Sequence, residues 1–337
     1  MNNAFVNDYS AICADEILKR LTELNNDSFV GYGLDDVCDS ARKKIMKKLG
    51  DESVDIHFVS GGTQANALVI GTILRPYQSI ISPDSGHINV HECGAIELTG
   101  HKVEAIKNIN GKLDLEAAEK LILAHEDEHT TAIKAIYFSD TTEFGTIYKL
   151  EDLKAMRALC DKYGLYLYMD GARLGSAMTC EENDIAWTDL TKYLDCFYIG
   201  ATKNGGMLGE AIVVINDDLK PGFRRMMKQR GAMLAKGFLL GVQYDCLFTD
   251  DLLERLARHE NKIAMKLKKG LIEKGYRFLM DSPTNQQFII MPNEKVEILQ
   301  QHYNFAVWEK GEPESCIRLV CSFRTTEEDV DKILSYL

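Results

Sequence analysis

The chain has 337 residues, and its 39 Lys and Arg against 51 Asp and Glu leave a net charge of −12. An acidic surface argues against nucleic acid or an anionic membrane as partner. Hydrophobic residues at 45% and charged residues at 27% are ordinary globular usage, which predicts a folded chain with one large domain and a smaller companion.

The opening MNNAFVNDYSAI has no basic stretch leading into an apolar run, and no segment holds about 18 uninterrupted apolar residues. Secretion and membrane spanning are therefore not expected. Nine scattered cysteines, with no CxxC pair, read as reduced thiols in a cytoplasmic protein.

A first helix is expected in ADEILKRLTEL, within the first 30 residues, and it can pack on either domain. From residue 55 short β-branched or aromatic runs alternate with helical patterns. The runs are IHFV (56–59), SIIS (79–82), KVEAI (102–106), KAIYFS (134–139), LYLYMD (165–170), DCFYIG (195–200) and EAIVVI (210–215). Between them, 114–125 and 150–163 space apolar residues three and four apart, as amphipathic helices do. Such alternation predicts α/β architecture with a mostly parallel, buried sheet.

After about residue 248 the order changes. DDLLERLARHENKIAMKLKKGLIEKGY reads as one long amphipathic helix ending at a glycine. FIIMP (288–292), CIRLVCSF (316–323) and TTEEDVDKILSYL then predict a small sheet with a covering helix, whose start carries a threonine followed three residues later by an acid. The expected division is a large domain over 1–248 and a small C-terminal domain over 249–337.

Three stretches carry chemistry. FVSGGTQAN (58–66) is a strand running into a small-residue turn and a helix that begins near Thr63. Unpaired N–H groups at the helix start, with Gly61 and Gly62 permitting close approach, make an anion cradle, although alone such a turn is more often a threonine-capped turn. LYLYMDGARLGS (165–176) places Asp170 at a strand end, where open parallel sheets line their ligand crevice. The bland alternative is a helix cap paired with Arg173. YIGATKNGG (198–206) presents Lys203 at a crevice mouth, where desolvation favours the free amine and a Schiff base becomes accessible, though most lone lysines are solvated.

Together and in this order, strand-Gly-Thr-helix, strand-Asp and strand-Lys resemble the aminotransferase-like, fold type I class of pyridoxal 5′-phosphate enzymes. Asp170 and Lys203 are 33 residues apart, near the separation that class shows. Within it, SGGTQAN (60–66), SGHINVHECGAIELTGHKV (85–103), DGARLGSA (170–177), TKNGG (202–206) and CIRLVCSF (316–323) look like the threonine aldolase and β-eliminating lyase family, from NDYS at 7–10 to the last helix.

The resemblance implies a large domain with a mostly parallel mixed sheet sandwiched by helices, and a small α+β domain. It implies pyridoxal 5′-phosphate as cofactor, joined to Lys203, with Asp170 holding the ring nitrogen's proton and His87 stacked on the ring. Gly62 and Thr63 would hold the phosphate, with Thr202 a further contact. Arg318 would clamp the substrate carboxylate, and Arg173 would neutralise the cofactor's phenolate oxygen or assist the clamp. Ser10 and Tyr32 match positions near the substrate. His87, His91 and Cys93 have a spacing that could bind a metal, but a fourth ligand is not evident and no metal is expected.

One departure concerns the base. Some threonine aldolases carry a second histidine in the loop after the central strand, where this chain reads Asp140-Thr-Thr-Glu143, so Glu143 or water would take the β-hydroxyl proton. The expected activity is cleavage of the Cα–Cβ bond of a β-hydroxy-α-amino acid such as L-threonine or L-allo-threonine to glycine and an aldehyde. The alternative is β-elimination on the same cofactor. The resemblance also implies a homo-oligomer, dimer or tetramer, with a small amino-acid substrate as its other partner.

Overall fold

Runs of Ile, Val, Tyr and Phe form seven strands because β-branched and aromatic side chains pack well on a pleated surface. In the computed structural model, which describes residues 2–337, these are β1 (Asp55–Val59), β2 (Gln78–Pro83), β3 (Val103–Ile106), β4 (Ala132–Ser139), β5 (Tyr166–Asp170), β6 (Cys196–Gly200) and β7 (Glu210–Val214). Their spatial order is β1-β7-β6-β5-β4-β2-β3. Neighbours from β6 to β3 run parallel, whereas β7 runs antiparallel to both β1 and β6. The loop 201–209 is too short for a crossover, so β7 can only return antiparallel.

Period-2 alternation splits the sheet's side chains between two apolar layers. Phe138, Leu167, Met169 and Phe197 face a core that includes Ile45 of the helix Asp36–Leu49, Met156 of Leu150–Tyr163 and Leu247 of Phe238–Leu247. Tyr137, Tyr168, Tyr198 and Ile212 face the other way, with Leu68 of Gly62–Ile73 and Phe223 of Phe223–Gln229. Helices thus cover both faces, as in the aminotransferase-like fold type I architecture.

Three of these helices lie outside the sequence expectations, the short Phe223–Gln229 among them. Asp36–Leu49 starts where the Asp35 carboxylate accepts the Cys38 N–H at 2.9 Å and ends on Gly50 at φ 67°. Phe238–Leu247 is buried on most of its surface, and a helix apolar all round has no periodic signature.

A second sheet is antiparallel, with β8 (Arg277–Phe278), β9 (Gln286–Pro292), β10 (Ala306–Glu309) and β11 (Glu314–Val320) in the order β10-β11-β9-β8. Its edge strands β8 and β10 are too short to show a pattern in sequence. Ile289, Ile317 and Leu319 pack on Ile263 and Leu267 of the helix Leu252–Glu273 and on Val330 of Glu327–Leu334. The last helix opens with a reciprocal cap: Asp329 N–H donates to the Thr326 hydroxyl, and the Asp329 carboxylate accepts the Thr326 N–H. Phe5 joins this smaller core, whereas Ile17 of the first helix, Asp15–Glu23, joins the larger one. Leu252 and Leu253 belong to the larger core and Ile263 onward to the smaller, so the long helix ties the two together. Among the described residues no helix is long and apolar enough to cross a membrane.

Candidate active site

The carboxyl ends of parallel strands meet on one edge of the large sheet, and the loops leaving β1, β2, β4, β5 and β6 surround a cavity of about 400 Å³. Gly62, Thr63, His87, Glu143, Asp170, Arg173, Thr202 and Lys203 all line it. These side chains come from five loops, and the parallel topology gathers them.

Asp170 ends β5 and is only 3% exposed. Its Oδ2 accepts from the Tyr137 hydroxyl at 2.8 Å and Asn66 Nδ2 at 3.1 Å, and its Oδ1 accepts from Ala172 N–H at 3.0 Å and the Tyr198 hydroxyl at 2.5 Å. The tyrosines come from β4 and β6, flanking β5. Four donors thus satisfy both oxygens of this buried carboxyl group without a salt bridge.

Lys203 is half-buried in the loop after β6, which Asn204 fastens by donating to the carbonyls of Ala172 and Gly200 at 3.0 and 2.8 Å. Burial, and then the charge of Arg173, lower the ammonium's pKa, while Asp8, Asp170 and Glu210 oppose them. The net lowering makes the neutral, nucleophilic amine easier to form.

Across the cavity, His87 starts a short helix. Its Nδ1 lies 2.8 Å from Oε1 of Glu92, whose carboxylate also accepts from Asn66 at 2.7 Å. The backbone N–H of His87 donates to Glu143 Oε1 at 2.9 Å, and the Ser139 hydroxyl donates to the same oxygen at 2.7 Å. Burial raises the Glu143 pKa above its ordinary value, against those hydrogen bonds.

At the glycine turn the helix Gly62–Ile73 points its unpaired N–H groups at the cavity. A Cβ on Gly62 would lie 3.1 Å from the Tyr198 hydroxyl, so a larger residue would crowd this cradle.

Arg173 donates from Nε and Nη2 to Asp8 at 2.6 and 3.0 Å. Burial disfavours the ionised form of Asp8, yet Arg173 and Lys203 outweigh it and hold the carboxyl below its usual range. Arg318 sits on β11 with its guanidinium 5.4 Å from the Trp308 ring centroid and a buried Nε that has no partner among the described residues. Burial and the charge of Arg173 both disfavour its cationic form, so an anion between the two guanidiniums would relieve both.

Arg318 is outside the cavity lining, as are Ser10 and Tyr32. The Ser10 hydroxyl donates to Asn7 at 2.8 Å on the surface, and its neighbour Tyr9 lines the cavity instead. Tyr32 is exposed at φ 62°, with the Lys228 amine 4.8 Å from its ring centroid.

Sequence reasoning missed Asp8, Asn66, Glu92, Tyr137, Tyr198 and Glu210. Asn66 had a usable signal, since it lies three residues after Thr63 on the same helix face. Tyr137 and Tyr198 read as core residues until the strand order places them beside Asp170.

The family model for β-eliminating lyases matches residues 7–294. The low specificity L-threonine aldolase of Pseudomonas aeruginosa is 30% identical over 336 residues, covering 97% of this chain and 94% of that protein. A threonine aldolase structure from Leishmania major is similar with a TM-score of 0.98 at 40% identity, covering 99% of this chain and 98% of that one. Thermus thermophilus aspartate aminotransferase shares the fold, with a TM-score of 0.74 at 16% identity over 99% of this chain and 90% of that one.

Proposed function

Because the chain belongs to the β-eliminating lyase family, we propose that it cleaves the Cα–Cβ bond of β-hydroxy-α-amino acids such as L-threonine or L-allo-threonine, giving glycine and an aldehyde. Pyridoxal 5′-phosphate is the cofactor. The observation that carries this reading is one cavity holding a lysine of lowered pKa and a buried carboxylate fixed by four donors.

The residues fit the cofactor. The cradle that a Cβ at Gly62 would fill suits a phosphate, Thr63 and Thr202 stand beside it, Asp170 suits a protonated ring nitrogen, and Lys203 suits an aldehyde carbon. When bound, pyridoxal phosphate supplies the conjugated ring that takes the electron pair of the broken Cα–Cβ bond.

The protein's own part is orientation and proton handling. His87, held by Glu92, would cover the bound cofactor and keep water from it. Arg318, whose Nε has no partner among the described residues, would clamp the substrate carboxylate and so orient the Cα–Cβ bond for cleavage. Asp8 holds Arg173, whose positive charge faces the same region. Glu143 lines the cavity and takes the β-hydroxyl proton as the aldehyde carbonyl forms.

We also infer a cytoplasmic homo-oligomer. Val30, Tyr32, Leu34, Leu234 and Leu239 are exposed on neighbouring segments, since Tyr32 N–H donates to the Ala235 carbonyl at 3.0 Å, and such a face suits contact between copies.

The test is incubation of the holoenzyme with L-threonine and L-allo-threonine. Glycine and acetaldehyde in equal amounts are expected, with loss of turnover in Lys203→Ala. Pyruvate and ammonia from serine or cysteine, without any aldehyde from threonine, would make the chain a β-eliminating lyase instead.

A further inference from the structure

Glu210 opens β7 directly opposite Gly200 of β6 and Val59 of β1, which puts its carboxyl between the Lys203 loop and the Gly61–Gly62 turn. It lines the cavity although it is only 4% exposed. The Thr202 hydroxyl accepts from Gly209 N–H at 3.0 Å and donates to Glu210 Oε1 at 3.3 Å. Oε1 is thus the accepting oxygen, and it lies 3.9 Å from where a Cβ of Gly62 would stand. Oε2 is buried with no partner among the described residues.

A buried carboxylate oxygen without a donor is costly, and protonation lowers that cost. As an anion it would repel a phosphate at the neighbouring helix start; as an acid it has one O–H to give. Burial raises the Glu210 pKa to about 8, with the Asp170 charge adding to the rise and Lys203 and Thr202 opposing it. Tyr198, Tyr168 and Tyr244 are the other titratable groups around it, and burial raises the pKa of each well above the ordinary value. The neutral acid is the form that suits the site.

We propose that Glu210 is a cofactor-positioning residue, whose protonated carboxyl donates a hydrogen bond to the phosphate of pyridoxal 5′-phosphate held at the Gly61–Thr63 turn. This rests on the cofactor assignment above. It makes the site's grip on the phosphate weaken on the alkaline side, because ionisation removes the donor and adds a repelling charge.

The experiment measures dissociation constants of pyridoxal 5′-phosphate and of pyridoxal, which lacks the phosphate, for the full chain, Glu210→Gln and Glu210→Ala, between about pH 7 and about pH 9.5. The ratio of the two affinities cancels the titration of Lys203, which both ligands share. In the unaltered chain this ratio is expected to fall above about pH 8. Glu210→Gln keeps an N–H donor and should hold the ratio level across the range. Glu210→Ala should weaken the phosphate form roughly 10- to 100-fold, as loss of a hydrogen bond to a charged group does, and leave pyridoxal unchanged. Equal losses for both ligands, or a Glu210→Gln ratio that falls as in the unaltered chain, would overturn the proposal while leaving the cofactor in place. Failure of the unaltered chain to bind pyridoxal 5′-phosphate would remove the cofactor reading and this inference together.

Discussion

Asp170 at the end of β5 and Glu92 after the short helix His87–Val90, two buried carboxylates, share the side-chain nitrogen of Asn66, which donates to them at 3.1 and 2.7 Å. Each acid needs a donor, so the amide orientation is set, and Asn66 Oδ1 is left to accept from the Tyr168 hydroxyl at 2.8 Å. One amide thereby connects the carboxylate at the end of β5 to the acid that holds His87.

Asn66→Ala should lower stability by about 2–4 kcal/mol, the scale for two hydrogen bonds to charged groups in a buried setting. Asn66→Asp should cost more near neutral pH, because it sets a third carboxylate between two others, and its deficit should shrink on acidification as that group takes up a proton. Urea denaturation at about pH 5.5 and pH 8 checks both. An aspartate variant as stable as the alanine variant at both pH values would deny the bridge.

Asp8 and Arg173 form a buried, bidentate pair across the junction of the two cores. Asp8→Ala should destabilise by about 3–5 kcal/mol, since it leaves a buried guanidinium uncompensated. Removing both charges together, as Asp8→Leu with Arg173→Met, should cost less than the single change. Chemical denaturation of the three variants gives the coupling.

Glu143→Gln should slow threonine cleavage roughly 10²- to 10⁴-fold while glycine still exchanges its α-proton with D₂O, because only aldol cleavage needs a base at the β-oxygen. Burial raises the Glu143 pKa, so the acidic limb of the unaltered enzyme's rate profile should lie above the ordinary glutamate range near 4.5 and be absent from the residual activity of the variant. Loss of exchange and cleavage in parallel would assign Glu143 a structural role.

His57 on β1 stacks on Phe223 with ring centroids 4.7 Å apart, and burial lowers its pKa to about 3, with Arg224 and Arg42 adding to the effect. The unfolded chain binds a proton at this position below about pH 6.5, whereas the folded chain resists it down to about pH 3. Stability therefore falls on acidification through that window, by roughly 1.4 kcal/mol per pH unit from this residue. His57→Phe should flatten that slope, which denaturation curves between about pH 4 and pH 7 would reveal.

Much of the large sheet was legible because apolar strands separated by amphipathic helices leave an alternating record in sequence. IHFV, KAIYFS, DCFYIG and EAIVVI all lie at or within a residue of strands in the structure. The antiparallel turn of β7 was not legible, since a buried strand reads alike in either direction; the short loop 201–209 decides it. Phe238–Leu247 was hidden for a related reason, being buried on most of its surface. In the site, Asp170 and Lys203 were visible because small residues around a strand end mark a crevice, whereas Glu210 reads as the first residue of another strand.

The amino-acid order by itself determined the succession of strands and helices and which reactive groups stand at strand ends, because both are encoded within a few neighbouring residues. Only the tertiary structure decided which groups meet and in what protonation state. Asp8 reaches Arg173, Asn66 reaches Asp170 and Glu210 comes beside Lys203 through packing of distant segments. The free energy of a charge depends on the water and counter-charges left around it after that packing, which no local run of residues records.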